Sequence, residues 1–147
     1  MSSIERILVP VDFSETSDRA LAQAMALAPR LGATVHLVHV WDLPAYTLPD
    51  GSVFYALEAA TEVERGLQKS LDERISRFGG HEVAITGSLR RGAPHHEIVE
   101  AAKEQRADLI VIGTHGRTGI ARLLIGSVAE RVVRTSPVPV LTVPPTR

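Results

Sequence analysis

Short β-branched runs alternate with stretches of helical period along nearly all of this 147-residue chain, and that alternation is what most restricts its fold. Residues 6–11 form a strand-like run that Asp12-Phe-Ser14 punctuates, after which Ala20, Leu21, Ala24, Leu27, Ala28 and Leu31 recur at helical spacing. Ser14 is a candidate N-cap, with Ser17 and Asp18 as competing starts; Pro29 is expected to disturb the last turn and Gly32 to end it. Residues 34–41 read as a second strand and 42–53, with Pro44, Pro49, Asp50 and Gly51, as a loop. Leu57, Ala60, Val63, Leu67, Leu71, Ile75 and Phe78 mark a long amphipathic helix ended by Gly79-Gly80. A third, more exposed strand is expected at 82–88, then a helix with Pro94 near its first position. Residues 109–112 give a fourth strand, 127–134 a short helix and 138–143 a fifth strand.

Strands alternating with helices predict an α/β fold, a doubly wound parallel sheet covered on both faces. Right-handed crossovers leave few topologies. Ligands of such sheets bind at the carboxyl ends of the strands, where the winding direction reverses. If the first and fourth strands are neighbours there, Pro10-Val11-Asp12 and Gly113-Thr-His-Gly116 face each other across one crevice. No internal repeat, linker or low-complexity stretch divides the chain, so residues 1–147 are expected to form one domain.

The run Gly113-Thr-His-Gly116, completed by Gly126-Ser127, is the part of the chain that points to chemistry. A buried strand feeds a glycine-rich loop that opens a helix. Glycine permits φ > 0 and lets an anion approach the main chain. The helix start adds free N–H donors and the positive end of its dipole, and Ser127 can add a hydroxyl at the N-cap. The combination suits a phosphate. It is not a P-loop, since no Gly-Lys pair exists in the chain, and the spacing Gly113, Gly116, Gly119 is not the dinucleotide fingerprint. Basic Arg117 and Arg122 lie inside the loop.

Composition removes other classes. With a net charge of −1 there is no electrostatic footprint for nucleic acid or a membrane surface. The absence of cysteine excludes disulfides, thiol catalysis and cysteine-based zinc sites. No apolar run approaches membrane-spanning length and the first residues lack a signal-peptide pattern, so the cytoplasm is the expected compartment.

Ile-Leu-Val-Pro-Val-Asp-Phe-Ser near the start, Val-His-Leu-Val-His-Val in the second strand and Gly-Thr-His-Gly…Gly-Ser-Val-Ala-Glu-Arg-Val near the end resemble the universal stress protein family over essentially the whole chain. The pattern G-x2-G-x9-G-[ST] of the family's ATP-binding branch stands intact at Gly113, Gly116, Gly126 and Ser127. The resemblance implies a five-stranded sheet of order 3-2-1-4-5, flavodoxin-like and akin to the adenine nucleotide alpha hydrolases, with an ATP site. It puts Pro10, Val11 and Asp12 at the adenosine end and Val40 against the base, with Val11 and Val40 bonding adenine through main-chain groups and Asp12 accepting from ribose hydroxyls. Ile112, Gly113, His115 and Gly116 would wrap the ribose and phosphates, and Gly126, Ser127, Val128 and Ala129 would hold phosphate oxygens. Ala129 departs from members carrying a hydroxyl there. Arg117 reads as a phosphate partner or as a solvated loop arginine, and Asp12 also reads as a cap or turn residue. A divalent ion, Mg²⁺ or Mn²⁺, could ride in on the phosphates with few protein ligands.

Other residues carry less. His36 and His39 sit three apart on one strand, point to opposite faces and cannot share a metal. His95-His96 at a helix start read as solvated, and neither Ser14 nor Ser127 has a recognisable His/Asp relay. Three functions fit the sequence: a dimeric ATP-binding regulatory module in stress response, a slow ATPase or related nucleotidyl-transfer enzyme, and a nucleotide-free structural or chaperone-like dimer. No catalytic residue is assigned, at most weak hydrolysis is expected, and the intact glycine motif opposes the third. A homodimer is expected through residues 138–143, an apolar edge strand, with no nucleic-acid or membrane partner.

Overall fold

The computed structural model describes residues 2–55, 57–115 and 125–146. Its main sheet has five strands: β1 (Arg6–Pro10), β2 (Thr34–Trp41), β5 (Ile85–Arg91), β6 (Leu109–Gly113) and β7 (Val140–Val143). They lie in the order β5-β2-β1-β6-β7 and every adjacent pair is parallel. Counted among these five strands alone, the order is the expected 3-2-1-4-5.

Side chains alternate across the sheet and so divide the core in two. Ile7, Val9, Val35, Leu37 and Val111 face α1 (Glu15–Leu31) and α2 (Leu57–Phe78), meeting Ala20, Leu21, Ala24 and Leu71. Leu8, Val38, Ile110 and Ile112 face α3 (Pro94–Glu104) and α4 (Ser127–Thr135), meeting Ile98, Ala101, Ala102, Ala129 and Val132. The chain winds outward from β1 through β2 to β5, then returns to the other side of β1 for β6 and β7. The reversal therefore falls between β1 and β6.

Three expectations need correction. Residues 42–53 are more than a loop: β3 (Ala45–Thr47) and β4 (Val53–Tyr55) pair as an antiparallel hairpin, closed by Gly51 N–H on Leu48 O and by Ser52 donating to Asp50 Oδ1. Each strand is three residues long and β3 is exposed throughout, so neither carries an alternating apolar signal. The third strand of the sheet begins at Ile85 and runs on to Arg91, because its charged end is held there. Arg90 pairs with Glu97 and Glu104, and the Arg91 guanidinium lies 5.8 Å from the Trp41 ring centre. As expected, Pro29 falls in the last turn of α1 and Gly32 stops the helix in the left-handed region, φ 68°, after Leu31. The proline forfeits only the bond to the carbonyl four residues back, within the final turn. The last strand starts at Val140, two residues later than expected; Ser136 Oγ instead bonds Val138 N and O before it.

Candidate functional site

A cavity of about 280 Å³ opens where the winding reverses, at the carboxyl ends of β1, β2 and β6. Eleven of the thirteen residues expected from the sequence line it: Pro10, Val11, Asp12, Val40, Ile112, Gly113, His115, Gly126, Ser127, Val128 and Ala129. Gly116 and Arg117 lie outside the described residues. The structure adds Ser17, Val38, Pro94, Ile98 and Thr114 to the wall. Val38 was within reach of sequence reasoning, since it shares a strand face with Val40. Pro94 and Ile98 lie four apart on one helical face, but only the sheet order brings α3 beside the crevice.

The two ends of the cavity differ in chemistry. Val38, Val40, Pro94, Ile98 and Ile112 make an apolar slot on the α3 side. Val11 N–H donates to Val38 O at 2.9 Å. In a parallel ladder alternate residues aim their main-chain groups at the same neighbour. Val40, two residues on, therefore turns its N–H and C=O past the end of β1 toward the opening. Val11 itself is engaged within the protein, its carbonyl also accepting from His39 Nδ1 at 2.7 Å.

Asp12 stands where β1 hands over to α1. Its Oδ1 accepts from Ser14 N–H at 3.0 Å and from the Ser14 hydroxyl. Ser14 is the N-cap of α1, its Oγ accepting from Ser17 N–H at 3.2 Å. The turn role considered for Asp12 is thus real, and the same carboxylate lines the cavity.

At the other end α4 begins. Its first intrahelical bond is Glu130 N–H to Gly126 O, so the N–H groups of Ser127, Val128 and Ala129 have no intrahelical acceptor. All three residues line the cavity. The N-cap is Gly126, with φ −61° and ψ 156°, and Ser127 is the first helical residue, a correction to its expected place as cap. The serine hydroxyl therefore sits beside these amides without serving as the cap.

Neither described glycine of the motif uses a positive φ. A Cβ at Gly113 would lie 2.9 Å from Thr16 Cγ2 and 3.1 Å from Thr16 O, so this glycine lets β6 approach α1. A Cβ at Gly126 would lie 2.9 Å from Thr114 O, the carbonyl that accepts the Gly126 N–H. Gly126 closes the loop onto its own strand and so sets where α4 starts. These glycines serve close approach of protein to protein, and the space they leave is what frames the cavity.

The histidines separate as their spacing predicts. His39 is buried on the α1–α2 face, while His36, on the other, lies between Thr86 Oγ1 at 2.6 Å and Ser88 Oγ at 2.9 Å. Burial pushes the His36 ring below its ordinary pKa. His115 Nδ1 and Thr114 Oγ1 lie 2.8 Å apart in a hydrogen bond that orients the ring in the cavity wall. Among the described residues no group of three or more His, Cys, Asp or Glu is placed to hold a metal ion.

The sequence profile of the Universal stress protein family matches residues 3–144. The chain is 38% identical over 141 residues to a universal stress protein of Methanocaldococcus jannaschii, covering 95% of this chain and 81% of that protein. Among solved structures it is similar to universal stress protein UspA from Lactobacillus plantarum, with a TM-score of 0.80 and 27% identity over 97% of this chain and 99% of that one. Two further neighbours hold nucleotides. A universal stress protein in complex with cAMP has a TM-score of 0.64 and 27% identity, over 97% and 98% of the two chains. One from Archaeoglobus fulgidus in complex with dAMP has a TM-score of 0.63 and 25% identity, over 97% and 99%.

Proposed function

The chain belongs to the universal stress protein family, and on that premise we propose that it binds ATP between β1 and β6 and acts as a dimeric, nucleotide-dependent regulatory module in the stress response. One observation carries the reading: an apolar slot and a carboxylate at one end of a single cavity face three amides without an intrahelical acceptor at the other. Adenine would fill the slot, its polar edge against the Val40 main chain, and Asp12 would accept from the ribose. Phosphate oxygens would meet the amides of Ser127, Val128 and Ala129 and the Ser127 hydroxyl, where the helix dipole favours negative charge. Gly116 and Arg117 would complete the phosphate end. Neighbours in complex with cAMP and dAMP support an adenine-nucleotide ligand, and they favour a second occupant of the same slot, an adenine nucleoside monophosphate.

Mg²⁺ or Mn²⁺ would enter on the phosphates and keep most of its waters, with Asp12 the one carboxylate among the described cavity residues. We assign no catalytic residue and at most weak ATP hydrolysis: Asp12 is engaged by Ser14, and His115 by Thr114. The domain is read as one unit acting in the cytoplasm. Among the described residues no helix is long and apolar enough to cross a membrane.

The dimer would form through β7, an edge strand of the sheet. Leu141 is 39% exposed on it, and Val133 of α4 is exposed nearby in sequence. An apolar edge invites pairing, and a twofold axis would set β7 against itself in antiparallel sense. Two measurements test the reading. Mass spectrometry of small molecules released on denaturing the purified protein should identify an adenine nucleotide, and calorimetry should find a site for ATP; no affinity for ATP, AMP or cAMP would refute it. Light scattering should give a dimer for the intact chain and a monomer for Leu141→Lys.

A further inference from the structure

The turn that carries Asp12 is held in an uncommon conformation by groups that never reach the cavity. Phe13 has φ 65°, a left-handed backbone that a bulky non-glycine residue seldom adopts. Its ring lies 4.4 Å from the His39 ring, centre to centre, on the α1–α2 face of the sheet. His39 is 8% exposed, and since a carbonyl only accepts, its Nδ1 carries the proton donated to Val11 O. Arg74 of α2 stands over the same Phe13 ring at 5.0 Å and donates from Nη2 to Phe13 O at 3.1 Å. Its Nε is fixed on Asp18 Oδ1 at 3.2 Å, with both side chains largely buried. The carbonyls on either side of Asp12 are thus gripped, one from β2 and one from α2.

We infer that His39 and Arg74 are positioning residues of the candidate site, a clamp that pins residues 11–13 from the far side of the sheet and fixes where the Asp12 carboxylate meets a nucleoside. This rests on the nucleotide reading of the cavity. The clamp acts at the nucleoside end only, so its loss weakens adenosine and ATP by the same factor. It acts through Asp12, so its effect vanishes once that carboxylate is gone.

Calorimetry of the full chain with ATP and with adenosine tests both points. His39→Leu, which removes the donor, should weaken both ligands about tenfold, the scale of one buried hydrogen bond. His39→Asn, whose side-chain nitrogen lies where Nδ1 lies, should stay within about threefold of the parent, and Arg74→Met should fall between. In an Asp12→Ala background His39→Leu should add less than about twofold, the non-additivity expected of groups acting as a unit. Equal affinity for parent and His39→Leu overturns the clamp, as does an undiminished His39→Leu effect in the Asp12→Ala background. Should His39→Leu lose its near-ultraviolet dichroism, Arg74→Met decides: faster amide exchange at residues 12–14 with weaker adenosine binding supports the clamp, and unchanged values overturn it. A parent protein without affinity for either ligand refutes the nucleotide reading instead, and that outcome is read from the parent alone.

Discussion

The two loops that meet in the crevice are built on opposite plans. In residues 11–14 the protein satisfies its own main chain: the N–H groups of Val11, Asp12 and Ser14 bond Val38 O, Ser17 Oγ and Asp12 Oδ1, and the carbonyls of Val11, Phe13 and Ser14 accept from His39, Arg74 and Asp18. At the start of α4 three consecutive amides have no helical acceptor, and the cap residue supplies no side chain. A helix end that opens onto a cavity with its donors unsatisfied wants an anion or water. A loop most of whose main-chain groups are already paired offers shape and the Asp12 carboxylate. The first region is largely closed on itself, and the second is left open toward the cavity.

That contrast is broken most severely at Gly126. Gly126→Val forces a Cβ against Thr114 O and so displaces the start of α4, while the β1–β2 wall, the proposed nucleoside end, is left alone. Titration calorimetry should find ATP weakened about a hundredfold or more, roughly 3 kcal/mol, with adenosine changed by about threefold at most. Equal losses for the two ligands would mean that the ends of the crevice are not independent. Val40→Phe is the complementary change, since Val40 is half-buried and its side chain lines the apolar slot. A larger ring there competes with the base, so adenosine, AMP and ATP should all weaken by a common factor of about ten, or ~1.4 kcal/mol. An ATP loss much larger than the adenosine loss would move the base elsewhere.

Ser127→Ala probes the proposed phosphate end with less force. It removes a hydroxyl but leaves the three amides and the Gly126 cap intact, so ATP should weaken by about threefold to tenfold, the ~1 kcal/mol typical of one hydrogen bond. Adenosine should not respond. Because the hydroxyl makes no cap bond, thermal stability should change by no more than about 0.5 kcal/mol, the scale of a neutral surface change. A large loss of stability would restore the serine to the capping role that its position in the sequence suggested.

The same contrast explains what could be read before the structure. The alternation of strands and helices was legible because buried parallel strands announce themselves as continuous β-branched runs, and the helices between them keep one apolar stripe; the strand order, and with it the meeting of the two loops, came from the family resemblance. Ser14 and Gly32 acted as cap and stop because their chemistry is local. What escaped depends on partners distant in the chain. Glycine at 113 and 126 suggested room for an anion, whereas the contacts that demand it are Thr16 and Thr114 O. Nothing near His39 in sequence marks Val11 O and Phe13 as its neighbours. Pro94 and Ile98 looked like helix start and core, and they became cavity wall only through the sheet order. The hairpin at 45–55 was too short and too exposed to leave a periodic trace.

The smallest effect comes from the opposite end of the sheet, where His36 forms part of a small cavity of about 60 Å³ with Arg6, Thr34, Thr86 and Gln105. Here both ring nitrogens are satisfied by hydroxyls, and a hydroxyl can donate or accept. Protonation therefore need not cost a hydrogen bond; burial is what disfavours the charged ring and lowers its pKa. The unfolded chain, with an ordinary histidine near 6.5, takes up the proton first as the solution is acidified. Stability contributed by the neutral ring is therefore complete above about pH 6.5, and it is lost as pH falls from there toward the lowered folded-state value. Denaturant melts between pH 7.5 and 5.5 should show this decline in the parent and a shallower one in His36→Gln, with ATP affinity at pH 7.5 the same in both. An equal slope in the two proteins would shift the pH dependence to other groups, whereas a drop in affinity would show that the two ends of the sheet are coupled through β2.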